Sequence, residues 1–89
     1  MPEVWVPVIA QHLTGGKQRV RVAGSTVHQV IDSLESAYPG MKALLCEGEG
    51  IMPGIAVIID GEVTNIGMLA RVQEESEVHF LPAIGGGTA

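Results

Sequence analysis

The segment TVHQVIDSLESAY, residues 26–38, decides the fold class, because it is the one long amphipathic helix that the sequence predicts. Apolar side chains recur in it at helical spacing and form a single stripe: Val27, Val30, Ile31, Leu34, Ala37 and Tyr38. Thr26 and Gln29 have the spacing of a capping box, which satisfies free N–H groups at a helix start. Pro39-Gly40 ends the helix. One helix with one stripe is expected to cover one face of a sheet.

Two strands are predicted before this helix. Residues 3–13 are rich in β-branched side chains, and we expect one strand there, with Trp5 and Ile9 on one face and Val4, Val6 and Val8 on the other. Thr14-Gly15-Gly16 is a turn signal. Lys17, Arg19 and Arg21 then alternate with Gln18, Val20 and Val22, the period of a half-buried strand with a basic outer face. The two strands are expected to form a hairpin.

The second half of the chain predicts one further helical turn and three more strands. Residues 41–46 fit the turn, with its inward side formed by Met41, Leu44 and Leu45. Residues 47–54 are expected to be a loop. Ile55–Ile59 is an apolar run typical of a central strand that is buried on both faces. Asp60-Gly61 is a hairpin signal, and residues 62–70 fit a short edge strand followed by a turn.

The last predicted strand covers residues 77–81, with Val78 and Phe80 facing the core. Leu81 then lies on the outer surface of the sheet. The element order favours an α+β protein with the β-grasp, or ubiquitin-like, arrangement: a mixed sheet, one main helix on one face, and parallel terminal strands at the centre. We expect residues 1–84 to form this domain and residues 85–89 to form a flexible C-terminal glycine tail.

Composition excludes several classes of function. The chain has 89 residues, a formal charge of −5, 46% hydrophobic and 17% charged residues, which argues against intrinsic disorder. The acidic balance argues against nucleic acid and anionic membranes as partners. Met1-Pro2-Glu3 lacks the basic start of a signal peptide, so a cytoplasmic protein is expected. The single cysteine, Cys46, excludes a multi-cysteine metal site or an internal disulfide.

Conventional catalytic and metal-binding candidates are weak. His12, His28 and His79 lack a second ligand at helical metal spacing. Cys46 fits a small buried hydrophobe better than a nucleophile, and Glu47 with Glu49 fits a solvated acidic loop. Gly15-Gly16-Lys17 lacks the flanking residues of a phosphate loop. No catalytic residue, bound cofactor or metal is therefore expected. The basic face of Lys17, Arg19 and Arg21 is either a solvated edge or a docking face for an acidic partner.

The glycine-rich end differs from these candidates. Gly85-Gly86-Gly87 follows an apolar strand, although glycine loses the most entropy on ordering and offers no side chain to pack. Residues 82–87, if extended, span about 20 Å. Such an arm fits a narrow active site of another protein, where only residues without a Cβ can enter.

These features resemble those of ThiS/MoaD-type ubiquitin-like sulfur-carrier proteins, and most nearly the CysO-type carriers of cysteine biosynthesis. The resemblance rests on the Pro-containing first strand, the Thr14-Gly15-Gly16 turn, the helix followed by Pro39-Gly40-Met41, and the ending VHFLPAIGGG, residues 78–87. It covers nearly the whole chain, and its specific part is the ending.

The resemblance implies that a C-terminal glycine carries sulfur as a thiocarboxylate. It assigns Gly86 and Gly87 to the paired glycines, with Gly87 as the acyl carrier. An adenylyltransferase/sulfurtransferase of ubiquitin-activating type would use ATP to activate that glycine. The sulfur acceptor would be a biosynthetic enzyme, either cysteine synthase-like or similar to the large subunit of molybdopterin synthase. The residues implied for docking these partners are Leu81, Pro82, Ala83, Ile84 and Gly85.

Two departures from the family pattern stand out. Thr88-Ala89 follows Gly87, so the Gly87 carbonyl is an amide. Either a peptidase, of a zinc-dependent kind, cuts between Gly87 and Thr88, or the chain is not a competent carrier. Residues 73–77 lack the family's common Asp-Gly turn, which concerns only the local loop. The alternatives are a non-catalytic β-grasp interaction module and a ubiquitin-like modifier joined to lysines. An independent enzyme is not expected, since no triad, dyad or metal cluster is visible.

Overall fold

The computed structural model describes residues 1–82 of the chain. Its strands and helices follow in the order β1 (Glu3–Trp5), a 3-10 helix (Val8–Thr14), β2 (Arg19–Arg21), α1 (Val27–Ala37), α2 (Met41–Leu45), β3 (Cys46–Glu47), β4 (Gly50–Ile51), β5 (Ile55–Ile59), β6 (Glu62–Val63), a second 3-10 helix (Gly67–Leu69) and β7 (Glu77–Pro82). None of the helices within residues 1–82 has the length and apolar character needed to cross a membrane.

The main sheet has five strands in the order β2-β1-β7-β5-β6. The terminal strands β1 and β7 are parallel, with Val4 opposite Val78, while β2 and β5 flank them in antiparallel pairing. This arrangement confirms the predicted β-grasp topology. Strand β7, which ends the described part of the chain, is the middle strand of this sheet and has a neighbour on each side.

Helix α1 begins where the capping signal predicts. The Thr26 hydroxyl oxygen accepts a hydrogen bond from the Gln29 backbone N–H at 3.2 Å. The Gln29 side chain does not return to Thr26 as in a standard capping box; its Oε1 accepts from the backbone N–H of Ser25 at 2.9 Å. Tyr38 ends the helix with a non-helical backbone, φ −135° and ψ 82°, in keeping with the exclusion of helical geometry before a proline.

The core lies between the helices and one face of the sheet. The predicted stripe supplies four fully buried side chains, Val27, Val30, Ile31 and Leu34, although Ala37 is exposed and Tyr38 only half-buried. Met41 and Leu45 of α2 join this core, and Leu44 packs at its edge. The sheet contributes Val4, Val20, Val57, Val78 and Phe80. Burial of this continuous apolar surface is the main force that holds the helices on the sheet.

The prediction of one strand over residues 3–13 is wrong. The strand ends at Trp5, and Pro7, with φ −65°, caps a 3-10 helix instead. Proline has no N–H to continue a ladder, and the new helix is held at its end by Thr14, whose hydroxyl lies 2.8 Å from the Lys17 carbonyl oxygen. Val8, expected on the same face as Val4, is consequently 81% exposed, whereas Val4 is buried.

Two expectations for the middle of the chain also need correction. Residues 47–54 are not simply a loop, because Cys46–Glu47 and Gly50–Ile51 pair as a small antiparallel hairpin. Strand β5 is not buried on both faces: only Val57 is buried, and the other four residues are intermediate. The helices cover one face of β5, and no described residue packs over its other face to bury it fully.

The Asp60-Gly61 hairpin turn is confirmed, with φ values of 51° and 87°, as a tight turn between strands requires. The Asp60 carboxylate also joins this turn to the start of β7. Its Oδ2 accepts from the Ser76 hydroxyl at 2.7 Å, and its Oδ1 accepts from the Glu77 backbone N–H at 2.9 Å. These two hydrogen bonds hold the pKa of Asp60 below its ordinary value, the serine hydroxyl having the larger effect.

Candidate functional site

Strand β7 anchors the point from which the predicted tail leaves. Val78 and Phe80 are fully buried, and the strand pairs with β1 on one side and with β5 on the other as far as Pro82, opposite Ile55. Leu81 lies on the outer face, opposite Ala56, and is 43% exposed. The alternation predicted for this strand is therefore confirmed.

The other residues implied for docking and for acyl transfer cannot be located in the same way. Ala83, Ile84, Gly85, Gly86, Gly87 and Thr88 lie outside the described residues, and of Pro82 only the backbone pairing is described. Their roles remain predictions. The described part of the site is the outer sheet face, on which Leu81 lies.

A row of stacked side chains crosses this outer face. The register places Arg19 opposite Trp5 and Trp5 opposite His79. The Trp5 and His79 rings are stacked, with centroids 4.9 Å apart and an angle of 11° between their planes. The Arg19 guanidinium lies on the Trp5 ring, 5.0 Å from its centroid. A basic, aromatic row thus runs from the edge strand β2 to the central strand β7.

Beyond His79 the outer face becomes aliphatic. His79 is paired with Ile58 of β5, and Ile58 with Val63 of β6, which is 62% exposed. Ile58 and Val63, together with Ala56 and Leu81 in the next row, make an apolar surface that we call the outer patch (Ala56, Ile58, Val63 and Leu81). It adjoins the last described residue of the chain. An apolar surface of this kind, beside a row of polar and aromatic groups, is suited to binding another protein.

Sequence reasoning placed Trp5, Arg19 and His79 individually but missed that they form one stack. Alternation within each strand was visible, whereas the stack depends on the register between three strands far apart in sequence. Trp5 also carries a polar atom without a partner: its Nε1 is buried and has no hydrogen-bond acceptor among residues 1–82. The His79 ring also lies beside the Glu77 carboxylate, with 3.8 Å between His79 Nε2 and Glu77 Oε1.

The conventional candidates do not assemble into a catalytic centre. Cys46 is buried, and this burial raises the pKa of its thiol, which disfavours the thiolate needed for nucleophilic attack. His28 lies 3.7 Å from Asp32 on the surface of α1, and His12 is exposed on the 3-10 helix. Within residues 1–82, no group of three histidine, cysteine or acidic residues is arranged to hold a metal ion.

The glycine motif at residues 15–17 and the acidic pair at residues 47 and 49 do not form binding sites either. Gly15 and Gly16, with φ of 69° and 91°, end the first 3-10 helix and lead into β2, so Gly15-Gly16-Lys17 does not precede a helix as a phosphate loop does. Glu47 and Glu49 are both exposed in the β3–β4 hairpin. The outer face therefore remains the strongest candidate for function in the described part of the chain.

Comparison with known proteins agrees with this geometry. The chain matches the ThiS family over residues 4–87. It is 29% identical to the sulfur carrier protein CysO of Mycobacterium tuberculosis, over 94% of this chain and 96% of the relative.

Solved structures give the same result. CysO in the Amycolatopsis orientalis BexX/CysO complex is 34% identical, with a TM-score of 0.89, over 98% of this chain and all of the matched one. Crystalline CysO of M. tuberculosis is 25% identical, with a TM-score of 0.87, over 94% of this chain and all of that one. This chain accordingly has the β-grasp fold and belongs to the ThiS family.

Proposed function

We propose that this chain is a sulfur carrier in which Gly87, once the residues after it are removed, becomes a C-terminal thiocarboxylate. The observation that carries the proposal is strand β7, which pairs with β1 as far as His79 and with β5 as far as Pro82, and is followed by the sequence AIGGG. The family match, which ends at Gly87, supports the same residue. The chain supplies a covalent handle and a surface, and its partner enzymes supply the acid–base chemistry.

Three steps follow from the chemistry of a carboxyl group. A peptidase first hydrolyses the Gly87–Thr88 bond, which frees the Gly87 carboxylate. That carboxylate then attacks the α-phosphorus of ATP on an adenylyltransferase, and pyrophosphate leaves. Finally, a sulfur nucleophile attacks the acyl carbon of the adenylate and AMP leaves, so that sulfur replaces one carboxyl oxygen. Delivery of this sulfur to an acceptor followed by hydrolysis returns the carboxylate.

The outer patch and the stacked row provide the recognition surface in this proposal. Because both lie on the strand that leads into the tail or beside it, a partner bound there receives the tail as an intramolecular reactant. Holding reactants together in this way replaces a bimolecular encounter with a step that is effectively unimolecular. A CysO relative has been solved in complex with BexX, which supports a carrier of this type working while bound to a second protein.

The acceptor we favour is a cysteine synthase-like enzyme. The curated relatives are named CysO, and the resemblance of the LPA approach to the glycines, residues 81–83, points in the same direction. An enzyme similar to the large subunit of molybdopterin synthase is the second choice. Both acceptors would use the same thiocarboxylate, so the activation step tests the proposal whichever of the two receives the sulfur.

Intact-mass spectrometry tests the proposal directly. The full chain and a version ending at Gly87 are each incubated with the cognate adenylyltransferase, ATP and sulfide. We expect the version ending at Gly87 to gain the mass difference between sulfur and oxygen. The full chain is expected to gain it only after a native extract has removed Thr88 and Ala89. A version ending at Gly87 that keeps its mass would refute the carrier function.

Two variants refine this test. Gly87→Ala in the shortened chain is expected to block activation without changing the melting temperature, since residue 87 follows the last strand of the core. If the shortened chain is instead found linked to lysine side chains in the extract, it acts as a protein modifier, which shares the activation step and differs in acceptor.

A further inference from the structure

The positive charge of this acidic protein is concentrated on one edge of its sheet. The chain has five lysines and arginines against ten acidic residues, and three of those five cations, Lys17, Arg19 and Arg21, fall within five positions of sequence. Arg19 and Arg21 alternate on β2, an edge strand of the sheet. None of the three forms an ion pair within residues 1–82.

Arg19 packs on an aromatic ring, a contact that a cation serving only to keep an edge strand soluble does not need. Its guanidinium lies on the Trp5 ring, and Trp5 is stacked on His79. A stacked guanidinium keeps its N–H donors in the plane of the group, where they remain free at the rim to bind a carboxylate with two hydrogen bonds. Because the contact with the ring restricts the side chain, less side-chain entropy is lost when such a carboxylate binds.

The stack connects this charged edge to the tail. His79 precedes Leu81 by two residues on the same face of β7, so a protein bound to the outer patch also reaches Trp5 and Arg19. Activation is the step that a sulfur carrier and a protein modifier share. The adenylyltransferase is therefore the partner that must bind this chain whichever acceptor follows.

We propose that the β2 edge, with Arg19 stacked on Trp5 and Lys17 and Arg21 beside it, docks an acidic surface of the adenylyltransferase that activates the chain. This inference rests on the proposed function and names the chemistry of its partner surface. Arg19 is a docking residue here and takes no part in the reaction. Opposite charges across such an interface speed the encounter of the two proteins and fix their orientation, and added salt weakens the effect.

Charge-reversal variants test this proposal. Binding of the version ending at Gly87 to the adenylyltransferase is measured by calorimetry, and the KM for the carrier by pyrophosphate exchange, at low and high salt. We expect Arg19→Glu to weaken binding and raise KM about tenfold at low salt, with kcat unchanged. The melting temperature should fall by only a few degrees, because the contact with the Trp5 ring is lost. The increase in KM should shrink in high salt. Arg19→Lys keeps the charge but loses the planar group, and is expected to give a smaller increase.

Arg71→Glu is the matched control, because Arg71 is also exposed but lies beside the start of α1, bridged to Thr26. It makes the same change in net charge and is expected to leave KM within about twofold of the wild type. Equal effects of Arg19→Glu and Arg71→Glu would overturn the docking site and leave only a general effect of net charge.

Two other outcomes separate this inference from the proposed function. If Arg19→Glu binds as well as the wild type while the thiocarboxylate still forms, the carrier function stands and the docking site is wrong. If the wild-type chain does not bind the adenylyltransferase at all, the docking site is wrong. If its mass is then also unchanged in the activation assay, the carrier function has failed too.

Discussion

Phe80 and Leu81 are neighbours in β7, yet their substitution is expected to have opposite consequences. Phe80 is fully buried against the helices, whereas Leu81 is 43% exposed on the outer face. Alternate residues of a strand face opposite sides of the sheet. Replacing Phe80 therefore perturbs the core, and replacing Leu81 perturbs the proposed docking surface.

The magnitudes follow from burial. Phe80→Ala removes a whole aromatic ring from a closed core and is expected to cost about 3–5 kcal/mol of unfolding free energy. Leu81→Ala removes a side chain that is little more than half buried, so its cost is about 1 kcal/mol. With the outer patch as a docking surface, Leu81→Ala should by contrast raise the KM for the carrier in adenylation about fivefold or more.

Urea unfolding followed by circular dichroism measures the first effect, and pyrophosphate exchange with the adenylyltransferase measures the second. A milder Phe80→Leu variant keeps the comparison usable where Phe80→Ala is largely unfolded, and it should lose stability with an unchanged KM for the folded fraction. Leu69→Ala is the control for Leu81→Ala, since Leu69 is 75% exposed but lies on the second 3-10 helix. A destabilisation by Leu81→Ala equal to that of Phe80→Ala would refute the assignment of faces in β7.

Three further predictions concern stability. Leu34→Ala, in the fully buried stripe of α1, should cost about 2–5 kcal/mol in urea unfolding; a cost near zero would mean that this face of the helix is not in the core. Gly24→Ala should destabilise the fold by about 1–3 kcal/mol, because the added Cβ would lie 2.7 Å from the Val30 backbone nitrogen. Gly50→Ala serves as the control, since a Cβ at residue 50 meets open space. Asp60→Asn should lower the melting temperature at pH 7. The difference from wild type should shrink as the pH falls below about 4, because the hydrogen bonds that lower the pKa of Asp60 stabilise the fold only while the carboxylate is charged. A difference that stays constant between pH 7 and pH 3 would contradict that role of Asp60.

Much of the fold could be predicted because several signals act locally. Thr26 and the proline after Tyr38 mark the two ends of α1 to within a residue. The Asp60-Gly61 pair specifies a turn that few other residue pairs adopt. The alternation in β7 indicated which side chains are buried, and this in turn placed Leu81 outside. Each of these inferences needs only neighbours in sequence, for which the physical rules are strong.

The first 3-10 helix could not be predicted from the same reasoning. The run Val4–Ile9 has the composition of a strand, and composition carried the prediction. The structure follows Pro7 instead, because a residue without an N–H leaves a ladder hydrogen bond unmade. The 3-10 helix that replaces the strand is stabilised by contacts several residues after Pro7. One of them is the hydrogen bond that the Thr14 hydroxyl donates to the Lys17 carbonyl.

The proposed recognition surface was harder to predict than the fold, because it arises from pairing between strands. Trp5, Arg19 and His79 are separated by fourteen and sixty residues in the chain, yet one register brings them into a single stack. A shift of β1 by one residue against β7 would exchange the faces of that strand, placing Trp5 in the core and Val4 outside. The buried valine pair Val4–Val78 opposes such a shift. The packing that fixes the core thus also fixes the proposed docking face, so substitutions that loosen the β1–β7 pairing should impair partner binding before they unfold the protein.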